Sequence, residues 1–262
     1  MIVKDRNVDP SFALSDGYYY ENGSTVASKV HLTERNYGTR RTFYLACDPD
    51  AVQASLPSGW TLGETIDPKF NLMLHFNDWL HTSHADNKPH DVQAPPYIGF
   101  IVPVQNDSLK RAGWMQIYGL AAGDHYTGGP YKAYRGCKYS HSSRLETDGV
   151  NRTWTHEKYE INPLDSSGVF ELSIAHQRTV VSRWISQRPD IAVYAAVDNS
   201  IERYYSEDMV IEWPLSSSRG ISNVKDFSLK WTFSDLRPVM ESAQLVAMSS
   251  NPTYMREVFK RD

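Results

Sequence analysis

Along much of the chain apolar and polar positions alternate with a period of two, the pattern of strands that bury one face. Phe70, Leu72, Leu74 and Phe76 alternate strictly, as do Phe227, Leu229, Trp231 and Phe233. Residues 41–47 carry Phe43, Leu45 and Cys47 on one face of a further strand. More strands are predicted over 97–104, 113–120, 139–147, 150–161, 169–181, 191–197 and 209–213. Asp148-Gly149 joins two of them, because both residues tolerate the positive φ that a tight hairpin demands. A short helix should follow Cys47: Asp48 is a suitable N-cap, Pro49 fits the first helical position, and Val52 and Leu56 lie four apart. Pro57 and Gly59 end it. Residues 1–36 show no period and read as an irregular leader, with Tyr18-Tyr19-Tyr20 laid across the body. Asn251-Pro252 reads as the start of a C-terminal helix carrying Tyr254, Met255, Val258 and Phe259. Many short strands and few helices predict an α+β chain, predominantly β, arranged as a sandwich or barrel. With no repeat and no Pro/Gly/Ser-rich linker, residues 1–262 read as one domain.

Composition narrows the functional classes. Tyr, Phe and Trp make up 12% of the chain, with 16 Tyr, 9 Phe and 7 Trp, and they suit pleated surfaces and pocket walls. The net charge of −4 offers no basic face for nucleic acid. No apolar stretch approaches the roughly 20 residues of a membrane helix. Cys47 and Cys137, the only cysteines, form no disulfide framework. The first residues lack the apolar core of a signal peptide, so a cytoplasmic location is expected.

Three ordered segments resemble the acetoacetate decarboxylase superfamily across residues 37–262. The first runs from Arg40-Arg41-Thr42-Phe43-Tyr44-Leu45 through Asp48-Pro49 to Leu56-Pro57-Ser58-Gly59-Trp60. The second runs from Pro95-Pro96-Tyr97 through Gly128-Gly129-Pro130-Tyr131-Lys132-Ala133-Tyr134 to Lys138. The third is Asp235-Leu236-Arg237-Pro238-Val239-Met240-Glu241-Ser242-Ala243, similar to the family's terminal strand, which a last helix follows. The resemblance implies a cone-shaped antiparallel β-barrel with a few short helices and a pocket inside. It also implies lyase, dehydratase, isomerase or cyclase chemistry on an oxo- or hydroxy-substituted substrate, no cofactor, and a homo-oligomer as the usual assembly.

Family members that form a Schiff base use a lysine amine, which must be desolvated or set beside a cation to lose its proton at neutral pH. Aligning Ala133-Tyr134 puts Gly136 and Cys137 at the family's lysine positions, and a shift of one or two residues brings in Lys138; Lys132 is the other lysine of the loop. Arg40 matches the family's strand arginine and suits bidentate carboxylate recognition, with Arg41 taking the part if the register differs by one. Without a covalent lysine, His125, Tyr126, Tyr134 and His141 offer acid/base groups, and Glu241 matches the family's terminal glutamate. The family's acidic residue of the central region would have to be Asp78, Asp86 or Asp91, because no glutamate lies between Glu64 and Glu146. His75, Asp78, His81, His84, Asp86 and His90 supply imidazole and carboxylate in a spacing that matches no zinc motif; with His75 on the predicted strand and the others beyond it, a polar loop over the pocket is expected from Asp78 to His90 rather than a metal site. Two other readings stand beside the enzyme: a non-catalytic barrel that binds an aromatic or apolar ligand, and a metal-dependent enzyme.

Overall fold

The computed structural model describes residues 16–20, 27–64, 69–89, 95–124, 131–147, 149, 153–165, 168–177, 183–187, 192–198, 200–216 and 219–261. Its strands are β1 Asp16–Tyr20, β2 Ala27–Ala46, β3 Thr61–Leu62, β4 Leu72–His84, β5 Tyr97–Asn106, β6 Arg111–Ala122, β7 Tyr134–Thr147 and β8 Thr153–Pro163. The second half adds β9 Phe170–Gln177, β10 Arg183–Gln187, β11 Ala192–Ala195, β12 Glu202–Ser216, β13 Ile221–Ser222, β14 Val224–Trp231 and β15 Gln244–Arg261. Two short helices, α1 Pro49–Gln53 and α2 Arg237–Glu241, complete the described elements. In α1 the Asp48 carboxylate caps the helix by accepting from the Asp50 amide, as its position before Pro49 predicts.

Hydrogen-bonded neighbours close a ring in the order β6–β11–β12–β15–β2–β4–β5 and back to β6. Strand β6 makes a branch. Its first half pairs β11 and its second half pairs β7, so β7–β8–β9–β14 continues outward as an arm. Both junctions of β6 are parallel, where an all-antiparallel barrel was expected; every other pairing is antiparallel among the described residues. The Asp148-Gly149 signal holds in its consequence, since β7 and β8 pair antiparallel with Thr147 opposite Thr153, and Gly149 has φ 76.

Alternation divides the ring's two faces. Phe43 and Leu45 of β2, Leu74 and Phe76 of β4, and Ile98 and Phe100 of β5 point away from the ring's interior and are buried under the arm. There Phe76 meets Tyr159 at 4.4 Å between centroids, and Phe100 meets Trp231 at 5.5 Å. Emptying such a site, as in Phe76→Ala, costs about 3–5 kcal/mol, so this seam holds arm to ring. Residues of the opposite parity face inward.

Three expectations are corrected. The segment 1–36 is not irregular throughout, because Asp16–Tyr20 pairs antiparallel with residues 27–31 and β2 already runs through residue 36. The C-terminal helix is a strand. Tyr254, Arg256 and Val258 are buried alternately, and Pro252 sits in a bulge where β15 spends one more residue than β2 between Asn251/Arg40 and Tyr254/Gly38. A bulge absorbs the missing proline N–H, which is why Asn-Pro does not start a helix here. Conversely, the segment read as a terminal strand contains α2, with Pro238 in its first turn.

Candidate active site

The inward residues of the ring line a cavity of about 360 Å3, at the lower end of the range of about 300–1,000 Å3 usual for small-molecule sites. Strand register arranges its wall in tiers. Arg40 lies opposite Asn77, and Asn77 opposite Tyr97, which makes a charged end. Next come Thr42, His75 and Gly99, one step along the same strands, with Ser249 opposite Thr42. Then come Tyr44, Met73 and Ile101, which begin an apolar end. At that end the Tyr44 ring packs edge-on against Phe70 at 4.9 Å and stacks on Trp213 at 5.6 Å, while Phe70 stacks on Trp114 at 6.2 Å. Gly99 and Gly119 leave room in the middle for the Gln116 amide: a Cβ on Gly119 would stand 3.0 Å from its nitrogen and 2.4 Å from the Tyr134 ring.

The charged end is built around two buried arginines. Arg40 donates from Nε to Asn77 Oδ1 at 2.9 Å and from Nη1 to Glu207 Oε1 at 3.3 Å. The same Glu207 oxygen accepts from the Tyr254 hydroxyl. Arg40 also lies 3.9 Å above the Tyr254 ring, Tyr254 stacks on Trp79 at 5.4 Å, and Arg256 lies 4.6 Å from the other ring of that stack, Trp79. Arg256 continues the ladder to Tyr205 at 5.0 Å, and the Tyr205 hydroxyl meets that of Tyr131. Burial, with the fields of Arg40 and Arg256 added, holds the His75 imidazole well below its ordinary range, so the ring is neutral. Burial likewise pushes the Tyr44 and Tyr254 phenols up, and both remain protonated at neutral pH.

The residues predicted to carry the chemistry are distributed unequally over this site. Arg40 lines the cavity, as do Tyr131 and Tyr134 of the central loop and strand. Arg41 faces the arm and bonds Glu157 at 3.2 Å. Lys138 is exposed on β7, and Lys132 is exposed and bound to Asp198 at 3.0 Å. Lys69, Lys88, Lys110, Lys158, Lys225, Lys230 and Lys260 are exposed too, and no lysine is among the described residues that line the cavity. His125 and Tyr126 lie outside the described residues, as do His90 and Asp91. His141 is stacked on Tyr159 at 4.3 Å in the arm–ring seam. Glu241 ends α2 with its side chain exposed and is not a lining residue. Residues 78–84 are not a loop but continue β4: His75 turns into the cavity, on a strand as expected, while His81, His84 and Asp78 are exposed. Asp86 is salt-bridged to Lys88 at 2.7 Å, and no group of three or more His, Cys, Asp or Glu is placed to hold a metal ion among the described residues.

Glu207, Tyr254 and Arg256 escaped the sequence reading. For Glu207 the signal was present as alternation: Tyr205, Glu207, Met209, Ile211 and Trp213 are one inward row of β12. A charged residue inside an otherwise apolar inward row marks a site.

No family model matches the chain, and no curated protein matches it. Solved structures do. An acetoacetate decarboxylase-like enzyme from Sphingomonas wittichii RW1 superposes with a TM-score of 0.54 at 11% identity, covering 88% of this chain and 92% of that one. The enduracididine biosynthesis enzyme MppR, with HEPES bound, gives a TM-score of 0.52 at 14% identity over 96% of this chain and 97% of its own. A second structure of MppR, complexed with the condensation product of pyruvate and imidazole 4-carboxaldehyde, gives 0.51 at 14% identity, covering 88% of each chain. At these identities the likeness is one of architecture, and by that architecture the chain has the acetoacetate decarboxylase-like fold.

Proposed function

We propose that the chain is an enzyme that acts on a small oxo- or hydroxy-substituted organic acid inside the strand ring, moving protons without a lysine Schiff base. The carrying observation is the group formed by Glu207, Arg40 and Tyr254 at the charged end of a cavity whose described lining contains no lysine. That MppR, a fold neighbour, holds a condensation product of pyruvate supports an oxo acid as the substrate class.

The chemistry follows from charge placement. A carbonyl oxygen directed at Arg40 is polarised, so a proton on the adjacent carbon becomes acidic. That proton passes to the Glu207 carboxylate, and the C–H electron pair moves into the carbonyl to give an enolate oxyanion facing the guanidinium. Dehydration and isomerisation begin with this step, and C–C lyase reactions share its enolate, which they form by breaking a C–C bond instead. Tyr254 fixes the carboxylate rotamer through its hydroxyl and supports Arg40 through its ring.

Exchange of the proton next to the carbonyl for deuterium, followed by NMR over a panel of oxo acids in D2O, tests this. Glu207→Gln is expected to slow exchange by about 10^2–10^4, while Lys132→Met and Lys138→Met stay within about twofold of the parent. Exchange indifferent to Glu207→Gln sinks the proposal, and acids bound but returned unexchanged point to a binding protein instead.

A further inference from the structure

The rings at the apolar end of the cavity differ from those of the arm–ring seam. In the seam Phe43, Phe100 and Phe170 are 0% exposed and Tyr159 is 2% exposed, which leaves no ring surface for a ligand. Tyr44, Phe70, Trp114 and Trp213 are only partly buried and border the open volume of the cavity. They come from β2, the residues just before β4, β6 and β12, and form one rack. Trp213 stacks on Tyr44, Tyr44 meets Phe70 edge-on, and Phe70 stacks on Trp114 with 7° between the ring planes. The rack is pinned at two points: the Tyr44 hydroxyl lies 3.4 Å from Ser249 Oγ, and the Arg219 guanidinium lies 5.0 Å from the Trp213 ring. Met73, opposite Tyr44 on β4, adds a thioether to the same end, a group that pairs well with ring edges.

We infer that these four residues are an aromatic clamp, a subsite for a ring of the ligand, and that the substrate is an aryl-substituted oxo acid rather than a short aliphatic one. The inference rests on the proposed function, whose oxo-acid head lies at Arg40. Aromatic pairs gain from offset stacking or edge-to-face contact at about 4.5–7 Å between centroids, beyond the area they bury. The wall rings already meet in such geometries, at 4.9, 5.6 and 6.2 Å. An entering ring therefore finds faces and edges on offer that a saturated ring of the same size cannot use. Four strand residues separate Arg40 from Tyr44, a rise of roughly 13 Å that holds an oxo-acid head, a short spacer and one ring. Between the two ends the spacer passes Thr42, His75 and Ser249, an uncharged tier.

Calorimetry on the full chain with 2-oxo-4-phenylbutanoate, 4-cyclohexyl-2-oxobutanoate and 2-oxobutanoate tests this without reference to turnover. The phenyl acid should bind at least about threefold more tightly than the cyclohexyl acid, and 2-oxobutanoate, lacking the ring, at least about tenfold more weakly than the phenyl acid. Trp114→Leu should bring the phenyl-to-cyclohexyl ratio to about one. Trp184→Leu, which removes a tryptophan 54% exposed on β10 outside the cavity, should leave the ratio unchanged. If Trp114→Leu does not melt cooperatively, Trp213→Leu carries the same test. Equal or tighter binding of the cyclohexyl acid, which buries at least as much apolar surface, overturns the inference, and so does a phenyl preference that survives both variants. Phenyl-selective binding without proton exchange would instead sink the enzymatic reading and leave this one standing.

Discussion

Arg40 and Arg41 are adjacent on β2 and face opposite sides of the sheet, and each finds a glutamate there: Glu207 inside the ring and Glu157 in the arm–ring seam. One step of strand register therefore separates a cavity residue from a structural one. Arg40 was singled out by the family resemblance alone, with Arg41 left as the alternative one register step away. Arg256 was not, because Asn251-Pro252 imitates a helix start and the following apolar spacing suits a helix as well as a strand. The neutral state of His75 has a measurable consequence. In the unfolded chain its imidazole takes up a proton as pH falls through about 6.5, whereas the folded protein keeps it neutral well below that. The unfolded state then binds more protons, so stability is lost as pH drops below about 6.5, at up to about 1.4 kcal/mol per pH unit. Removing the group in His75→Gln removes that share. The difference in unfolding free energy, parent minus variant, is expected to fall between pH 6.5 and 5; a difference independent of pH would contradict the burial of a neutral ring.

At the scale of elements, the arm of β7, β8, β9 and β14 is held to the ring by aromatic packing and by one buried carboxylate. Glu157 projects from β8 to Arg41 of β2 and approaches His176 of β9 at 3.4 Å and His141 of β7 at 3.8 Å, with its own side chain almost wholly buried. Burial opposes its charge, but the His176 and Arg41 contacts hold its carboxyl below the usual carboxylate range. Removing one partner from a buried ionic group is strongly destabilising because the rest stay buried and uncompensated. Glu157→Leu is therefore expected to lower unfolding stability by about 3–5 kcal/mol, read as a shift of the urea midpoint at constant slope. A change under about 1 kcal/mol would show that the apolar seam alone fastens the arm. Most strands were legible at this scale, since alternating runs such as Leu72–Leu74–Phe76 sit at a boundary between core and cavity. Elements whose ends depend on tertiary pairing were not. Strand β2 extends far beyond residues 41–47 because β15 and β4 pair along its length, and its polar first half gives little hydrophobic signal.

The whole molecule is a closed ring with a branch, and of the two parallel junctions of β6 one joins it to the next strand, β7, and the other to β11, far along the chain. Nothing local specifies such junctions, so the sequence predicted a β-rich pocket protein without the branch. Closure sets like parity inward on every strand, which gathers Arg40, Glu207 and Arg256 at one end and the aromatic clamp at the other. The fold is that of acetoacetate decarboxylase-like enzymes, while no lysine is among the described residues that line the cavity. Under the proposed function, oxo-acid chemistry proceeds without a covalent lysine intermediate. Its most direct test is intact-protein mass spectrometry after incubation with an exchanging oxo acid and borohydride. An unmodified mass is expected while proton exchange continues, and a reduced adduct on any lysine would contradict lysine-free chemistry.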